Sequence, residues 1–205
     1  MATSITDEKR RELPSQVTLD EVGEINIKDK DGKEVPFKSL YTGKPANERQ
    51  LIIFVRHFFC GSCEQYIEAL AKDLPPAKLS AVNTTLTIIG SGEPLLIEGY
   101  AERTGSPYQI YTDNSVQLYK KLGMVSTLKG ATGTPKYTHK GFFKNAVDSM
   151  WNSVMSGHPL SSGPPAQNGG ELLFQDGQLK WCSRMRNPTD HSEVDELKEV
   201  LGIKE

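Results

Sequence analysis

The hydrophobic pattern of this chain changes period several times, and each change marks an element. Leu51 to Val55 is an unbroken apolar run rich in β-branched and aromatic residues, the pattern of a central strand buried on both faces. After Cys60-Gly61-Ser62-Cys63 the period becomes helical: Tyr66, Ile67, Leu70, Ala71 and Leu74 share one side of a 3.6-residue repeat, and Pro75-Pro76 stops it. Further strands are predicted at Thr84 to Gly90 and Pro107 to Thr112, with a helix at Ser91 to Thr104 whose inward residues are Leu95, Leu96, Gly99 and Tyr100. Asn114 or Ser115 caps a short helix bearing Val116, Leu118, Tyr119 and Leu122, and Gly123 ends it. Phe143, Ala146, Val147, Met150, Trp151 and Val154 step by three and four, which predicts an amphipathic helix.

Two stretches read as hairpins. Glu24 to Phe37 alternates around Asp31-Gly32, and Glu171 to Arg184 does so around Asp176-Gly177. Gly157 to Gly170 is rich in Gly, Pro and Ser and reads as an exposed loop, and Glu193 to Leu201, stopped by Gly202, reads as the last helix. Strands alternating with helices imply an α/β fold, a mostly parallel sheet covered on both faces, with the late hairpin adding antiparallel strands. The expected organisation is a flexible N-terminal arm over 1–14, then one domain over 15–205, since no linker separates two.

Composition narrows the functional classes. The 205 residues carry a formal charge of −2, with no Lys/Arg run, so a nucleic-acid or anionic-membrane partner is not expected. No apolar stretch is long enough to span a bilayer, and Met1 to Glu12 is polar and charged, unlike a signal peptide. The cysteines number three, too few for a disulfide scaffold, and the expected compartment is the reducing cytoplasm. There, a Cys-x-x-Cys between a strand and a helix is the pattern of a thioredoxin-like redox motif. No Gly-rich phosphate motif follows a strand, so no organic cofactor is expected.

Phe54-Val55-Arg56-His57-Phe58-Phe59-Cys60-Gly61-Ser62-Cys63 resembles the active-site segment of the peroxiredoxin-like AhpC/TSA antioxidant-enzyme-domain family, in its eukaryotic branch bearing Cys-x-x-Cys. The resemblance continues through Ile88-Ile89-Gly90, Tyr119 to Met124, Gly169-Gly170, Arg184 to Asn187 and Asp190-His191, and so covers most of the chain from about Leu51 onward. It implies a thioredoxin-like fold of peroxiredoxin type, a central mixed sheet flanked by helices with an N-terminal β-hairpin. It also implies a peroxide or disulfide substrate, a thiol reductant such as the thioredoxin or glutathione system, and the homodimerisation frequent among relatives. The chain departs from the peroxiredoxin signature Pro-x-x-x-Thr/Ser-x-x-Cys. With Cys63 on the last position, Cys60 replaces the hydroxyl residue and Arg56 the proline.

The chemistry rests on the thiolate, because a free Cys with a pKa of about 8.5 is mostly protonated at neutral pH. Cys60 at a helix N-terminus, with Arg56 and His57 close in sequence, is placed for a lowered pKa and is the expected nucleophile. Cys63, one turn on, is the expected resolving residue. The peroxiredoxin alignment implies the reverse order, with Cys63 oxidised first. Arg184 is a candidate thiolate or peroxide stabiliser, since the resemblance implies an Arg from a comparable late strand; a surface ion pair is the competing reading. Arg56 competes with an ordinary carboxylate partner, and His57 stands between proton transfer and simple packing. Cys182 reads as a small buried side chain. A zinc module needs Cys182 and a His to complete four ligands, and no metal is expected. The remaining rival is a non-enzymatic redox-sensing or binding protein on the same fold.

Overall fold

The computed structural model describes residues 5–129, 135–138 and 161–204. The predicted helix at 143–154, with Trp151 and the Phe142-Phe143 pair, lies outside the described residues, as do His139 and His158. Helices α1 (Asp7–Arg11) and α2 (Gln16–Gly23) precede a hairpin of β1 (Asn26–Lys28) and β2 (Glu34–Pro36) and a 3₁₀ turn, Phe37–Leu40. Then come β3 (Arg49–Phe54), α3 (Gly61–Asp73), α4 (Pro76–Ser80), β4 (Thr84–Gly90), a second 3₁₀ turn, α5 (Ile97–Thr104), β5 (Gln109–Thr112) and α6 (Gln117–Lys121). β6 (Gly170–Gln175), β7 (Gln178–Arg184) and a last helix, numbered α7 (Val194–Leu201), complete the described chain.

The strands form one seven-stranded sheet in the order β2-β1-β5-β4-β3-β6-β7. β3 runs parallel to β4, and β4 parallel to β5, while β6 lies antiparallel to β3 and to β7. The mixed α/β sheet with its N-terminal hairpin is the expected architecture. β3 sits inside it, and its apolar run has a simple cause: both faces are covered. Leu51, Ile53 and Val55 join one core with Tyr66, Ile67 and Leu70 of α3, Tyr100 of α5 and Leu197 of α7. Ile52 and Phe54 join the other with Val22 of α2, Leu118 of α6 and Phe174 of β6. Both strand faces must then be apolar, so the run shows no alternation.

Several details differ from the sequence reading. Leu95 points out, at 55% exposure, and Ile97 goes inward instead, because a 3₁₀ turn at Pro94–Leu96 advances the phase before α5 begins. Pro75-Pro76 ends α3 but also starts α4, with proline in the first turn where its missing N–H costs nothing. α6 is held by Asp113, whose carboxylate accepts from Leu118 N at 2.7 Å. Just before α7, the Ser192 hydroxyl donates to Glu171 Oε2 at 3.1 Å rather than capping the helix. The segment read as a loose arm contains α1, which lies against β7: Arg10 is buried, and its Nε donates to Ser183 Oγ at 2.9 Å.

Candidate active site

The site is built where β3 stops. Val55 N still donates to Ile89 O at 2.9 Å, after which the chain turns, and Cys60 N closes the turn onto His57 O at 3.1 Å. Phe58 fills the space a side chain would need at Gly90. Gly169 is required on the other side, because a Cβ there would collide with the Phe54 carbonyl. Cys60 is the N-cap of α3, in extended conformation (φ −79°, ψ 102°), with its sulfur accepting from Cys63 N at 3.4 Å. The helix therefore begins on a sulfur acceptor, where its unpaired N–H groups and partial positive charge are strongest.

Three polar groups approach Cys60 Sγ. Cys63 Sγ lies 2.8 Å away, Arg56 Nη1 3.3 Å away and Ser62 Oγ 3.2 Å away. All three cysteines are free thiols. Arg56 is itself fixed, because Nε donates to Gln167 O at 3.3 Å and Nη2 to Pro165 O. The guanidinium thus links the cysteine turn to the loop before β6. Ser62 donates its hydroxyl to Pro188 O at 3.0 Å. Cys60 is 2% exposed and Cys63 fully buried.

Burial alone would push both thiols up, and the pair resolves this unequally. At Cys60 the hydrogen bond from Cys63 and the Arg56 cation, with a smaller contribution from the Ser62 hydroxyl whose proton is shared with Pro188 O, outweigh burial and hold the thiol well below its usual range. Cys63 pays for this, since burial and its proton shared with Cys60 raise it well above the usual range. One proton sits between two sulfurs, on Cys63. His57 has its Nδ1 buried without a partner among the described residues. Burial, reinforced by Arg56 and opposed by Cys60, lowers its pKa to about 4. Near neutral pH it is uncharged, so Arg56 is the cation that acts on the sulfur.

Of the residues singled out in the sequence, Cys60, Cys63, Arg56 and His57 come together. Arg184 does not. It lies on the opposite side of the sheet, two residues from Cys182, which packs with the core of α2 and α6. Its Nε donates to Leu122 O at 2.6 Å and its Nη1 to Glu12 O at 2.7 Å and Lys9 O at 3.0 Å. The period of two along β7 puts Arg184 on the Cys182 face; a strand position two residues away from a buried apolar one was the available warning. Cys182 is buried, as its pattern suggested. Among the described residues, no group of His, Cys, Asp or Glu large enough to hold a metal is formed.

Ser62 was missed. It puts a hydroxyl beside Cys60, the residue that stands in this chain where the peroxiredoxin signature has its own hydroxyl, from a position two residues later. A hydroxyl inside the first turn of a helix that starts on a cysteine was the signal. Also missed was a buried acid–base pair behind α3. Glu171, fully buried on β6, meets His191 Nδ1 at 2.7 Å, and the His191 ring stacks on Tyr66 with centroids 4.2 Å apart. Nothing in their separate sequence neighbourhoods joins them.

A family model described as "AhpC/TSA antioxidant enzyme" matches residues 69–187. The human protein named peroxiredoxin-like 2C is 32% identical over 184 residues, covering 89% of this chain and 79% of that one. Its namesake from Takifugu rubripes is 30% identical over 195 residues, 92% of this chain and 84% of that one. Among solved structures, the Xanthomonas campestris bacterioferritin comigratory protein superposes with a TM-score of 0.57 at 10% identity, covering 93% of each chain. A peroxiredoxin-like protein from Aquifex aeolicus gives 0.55 at 12% identity, over 87% of this chain and 82% of that one. At such identities the structures speak for the fold, which is the thioredoxin fold of peroxiredoxins. With the fold, the family match over more than half the chain and relatives aligned along most of its length, the chain belongs to the AhpC/TSA antioxidant enzyme family, alongside the peroxiredoxin-like 2C proteins.

Proposed function

We propose that this protein is a thiol-dependent oxidoreductase cycling through a Cys60–Cys63 disulfide. The observation that carries the reading is the position of Cys60 Sγ, 2.8 Å from Cys63 Sγ and 3.3 Å from the Arg56 guanidinium. Cys60 is the nucleophile and Cys63 the resolving thiol, because the acidic sulfur attacks and the protonated one waits. With a hydroperoxide, the Cys60 thiolate attacks the distal oxygen and the O–O bond breaks, leaving a sulfenic acid and an alkoxide, which takes a proton from solvent to become the alcohol. The Cys63 thiol then attacks the sulfenic sulfur, its proton leaves with the hydroxyl as water, and the disulfide forms. With a disulfide substrate the same attack gives a mixed disulfide, and Cys63 expels the second thiol. Each turnover delivers two electrons, returned by an external thiol reductant of the thioredoxin or glutathione type.

Enclosure shapes the substrate choice. At 2% exposure Cys60 offers little surface to a substrate, which favours a small oxidant and a slow reaction over docking of a large disulfide. Ser62 and Arg56 supply a hydroxyl and a cation next to the attacked atom, the groups a developing alkoxide needs. Arg56 takes the role expected of Arg184. Neutral His57 is a proton acceptor of last resort, since its low pKa makes it a weak base. A cytoplasmic setting suits a pair that must be re-reduced. Homodimerisation is an expectation from the relatives.

The test is a trapping experiment with single variants. Pre-reduced Cys63→Ser protein, given a small hydroperoxide or an aromatic disulfide, is expected to hold a sulfenic acid or mixed disulfide on Cys60, while Cys60→Ser traps nothing. Wild type is expected to lose two protons in mass, with the linkage mapped to those two residues. Trapping on Cys63 instead reverses the order of attack. Absence of any linkage defeats the redox reading.

A further inference from the structure

Ser62 has one hydroxyl proton and two acceptors. Pro188 O accepts it at 3.0 Å, and Cys60 Sγ lies 3.2 Å from the same oxygen. While the proton points at Pro188, Ser62 offers Cys60 a lone pair, which suits a thiol and not a thiolate. Once the proton turns to Cys60, it stabilises the thiolate as a charge-assisted donor. The position of the Pro188 carbonyl therefore governs how acidic Cys60 is.

The segment that carries this carbonyl is tied down from outside the site, at Asp190. Asp190, two residues on, accepts from Arg186 N, Nε and Nη2 at 2.9, 2.8 and 2.9 Å. Arg10 of α1 reaches the same residue, with Nη1 on Asp190 Oδ1 and Nη2 on Asp190 O, both at 3.5 Å. Asp7 pairs with Arg186 as well, and Arg11 pairs with Glu196 of α7. Asp190 is only 14% exposed in its side chain, and the Arg186 hydrogen bonds overcome burial to keep it below the usual carboxylate range. It stays ionised and the clamp stays closed at neutral pH.

We propose that Asp190 is a positioning residue for Cys60, and that α1 is a strap tightening it. Through the Arg186–Asp190 clamp, the strap holds Pro188 O where it draws the Ser62 proton away from Cys60, and so restrains the nucleophile. Loosening the strap releases Ser62 to the thiolate. This rests on the redox reading of Cys60, but it can be measured without turnover.

The experiment follows the rate of iodoacetamide alkylation at Cys60 against pH, resolved by peptide mass spectrometry, in full-length protein. The other groups acting on the sulfur, Arg56, His57, Cys63, Glu64 and Tyr100, are unchanged throughout. Asp190→Ala is expected to lower the apparent pKa of Cys60 by about one unit, the size of one charge-assisted hydrogen bond. Arg10→Gln, which cuts only the strap's grip and leaves Arg186 on Asp190, is expected to lower it by less. In a Ser62→Ala background both shifts should vanish, because the effect runs through that hydroxyl. No shift in either variant, a rise, or a shift that survives Ser62→Ala overturns the proposal. A wild-type Cys60 titrating as an ordinary thiol defeats the redox reading instead, and the effect of Asp190 is still scored against that value.

Discussion

Arg56 meets two requirements at once. It balances the Cys60 thiolate, and it spends its remaining donors on the Gln167 and Pro165 carbonyls, which keep the guanidinium from rotating away. Arg56→Ala is therefore expected to slow alkylation of Cys60 at neutral pH by about tenfold or more, since it removes the guanidinium that contacts the sulfur in a buried site. Arg56→Lys should recover only part, because an ammonium cannot hold three directions in one plane. Stopped-flow alkylation measures both. His57 makes a separate prediction about stability. Its folded pKa, about 4, lies below the ordinary 6.5, so the stability it contributes is complete above pH 6.5 and is lost as pH falls towards 4. The loss over that window is about 3 kcal/mol from the shift. Urea unfolding of His57→Asn between pH 4 and 7 should therefore be flatter than wild type; equal slopes would exclude a buried neutral imidazole.

At the scale of elements, α3 depends on what caps it. Cys60 fills the N-cap with a sulfur that accepts from Cys63 N. Cys60→Ser keeps an acceptor there, whereas Cys60→Ala does not, and the alanine variant should be the less stable by about 1 kcal/mol. Thermal melts of the two separate capping from thiol chemistry. The end of β3 is as demanding. A methyl at Gly169 would strike the Phe54 carbonyl, a backbone atom of a strand paired on both sides. Gly169→Ala is thus expected to cost about 1–3 kcal/mol or more in denaturant unfolding, in the range of an overpacked core, and to disturb the contacts of Arg56, two residues beyond the strand. The strand itself was legible in advance because its five apolar residues could be satisfied only by two cores. The helix after it was legible from its period. The shift that turned Leu95 outward was not, because a 3₁₀ turn changes the phase without changing the composition.

For the whole molecule, the preference for a thiolate at Cys60 has an energetic counterpart. If Cys60 and Cys63 join as proposed, interactions that stabilise the reduced, charged site are lost, so the dithiol form is expected to be the favoured one. The oxidised protein is expected to melt below the reduced one, and the disulfide to be readily reduced by a glutathione buffer. Calorimetry on the two forms tests this; an oxidised form that melts higher would mean the pair acts as a staple. The sheet contributes by holding both sides of the site: β3 delivers the cysteine turn, and the chain leaving β7 returns to place Pro188 on Ser62.

The sequence by itself determined the α/β class, the central strand, the helix behind it and the two sulfurs at its start. Those features are local, and periodicity, proline stops and the spacing of two cysteines express them over a few residues. Tertiary structure alone decided which charge meets the sulfur. Arg56 and Arg184 both lie near the end of a strand in sequence, but the place of β7 in the sheet sets Arg184 on the face of Cys182, away from Cys60. It decided likewise that Ser62 shares its proton with Pro188, and that Glu171 finds His191. The last two join residues 126 and 20 positions apart, and only the folded chain fixes the distance between them.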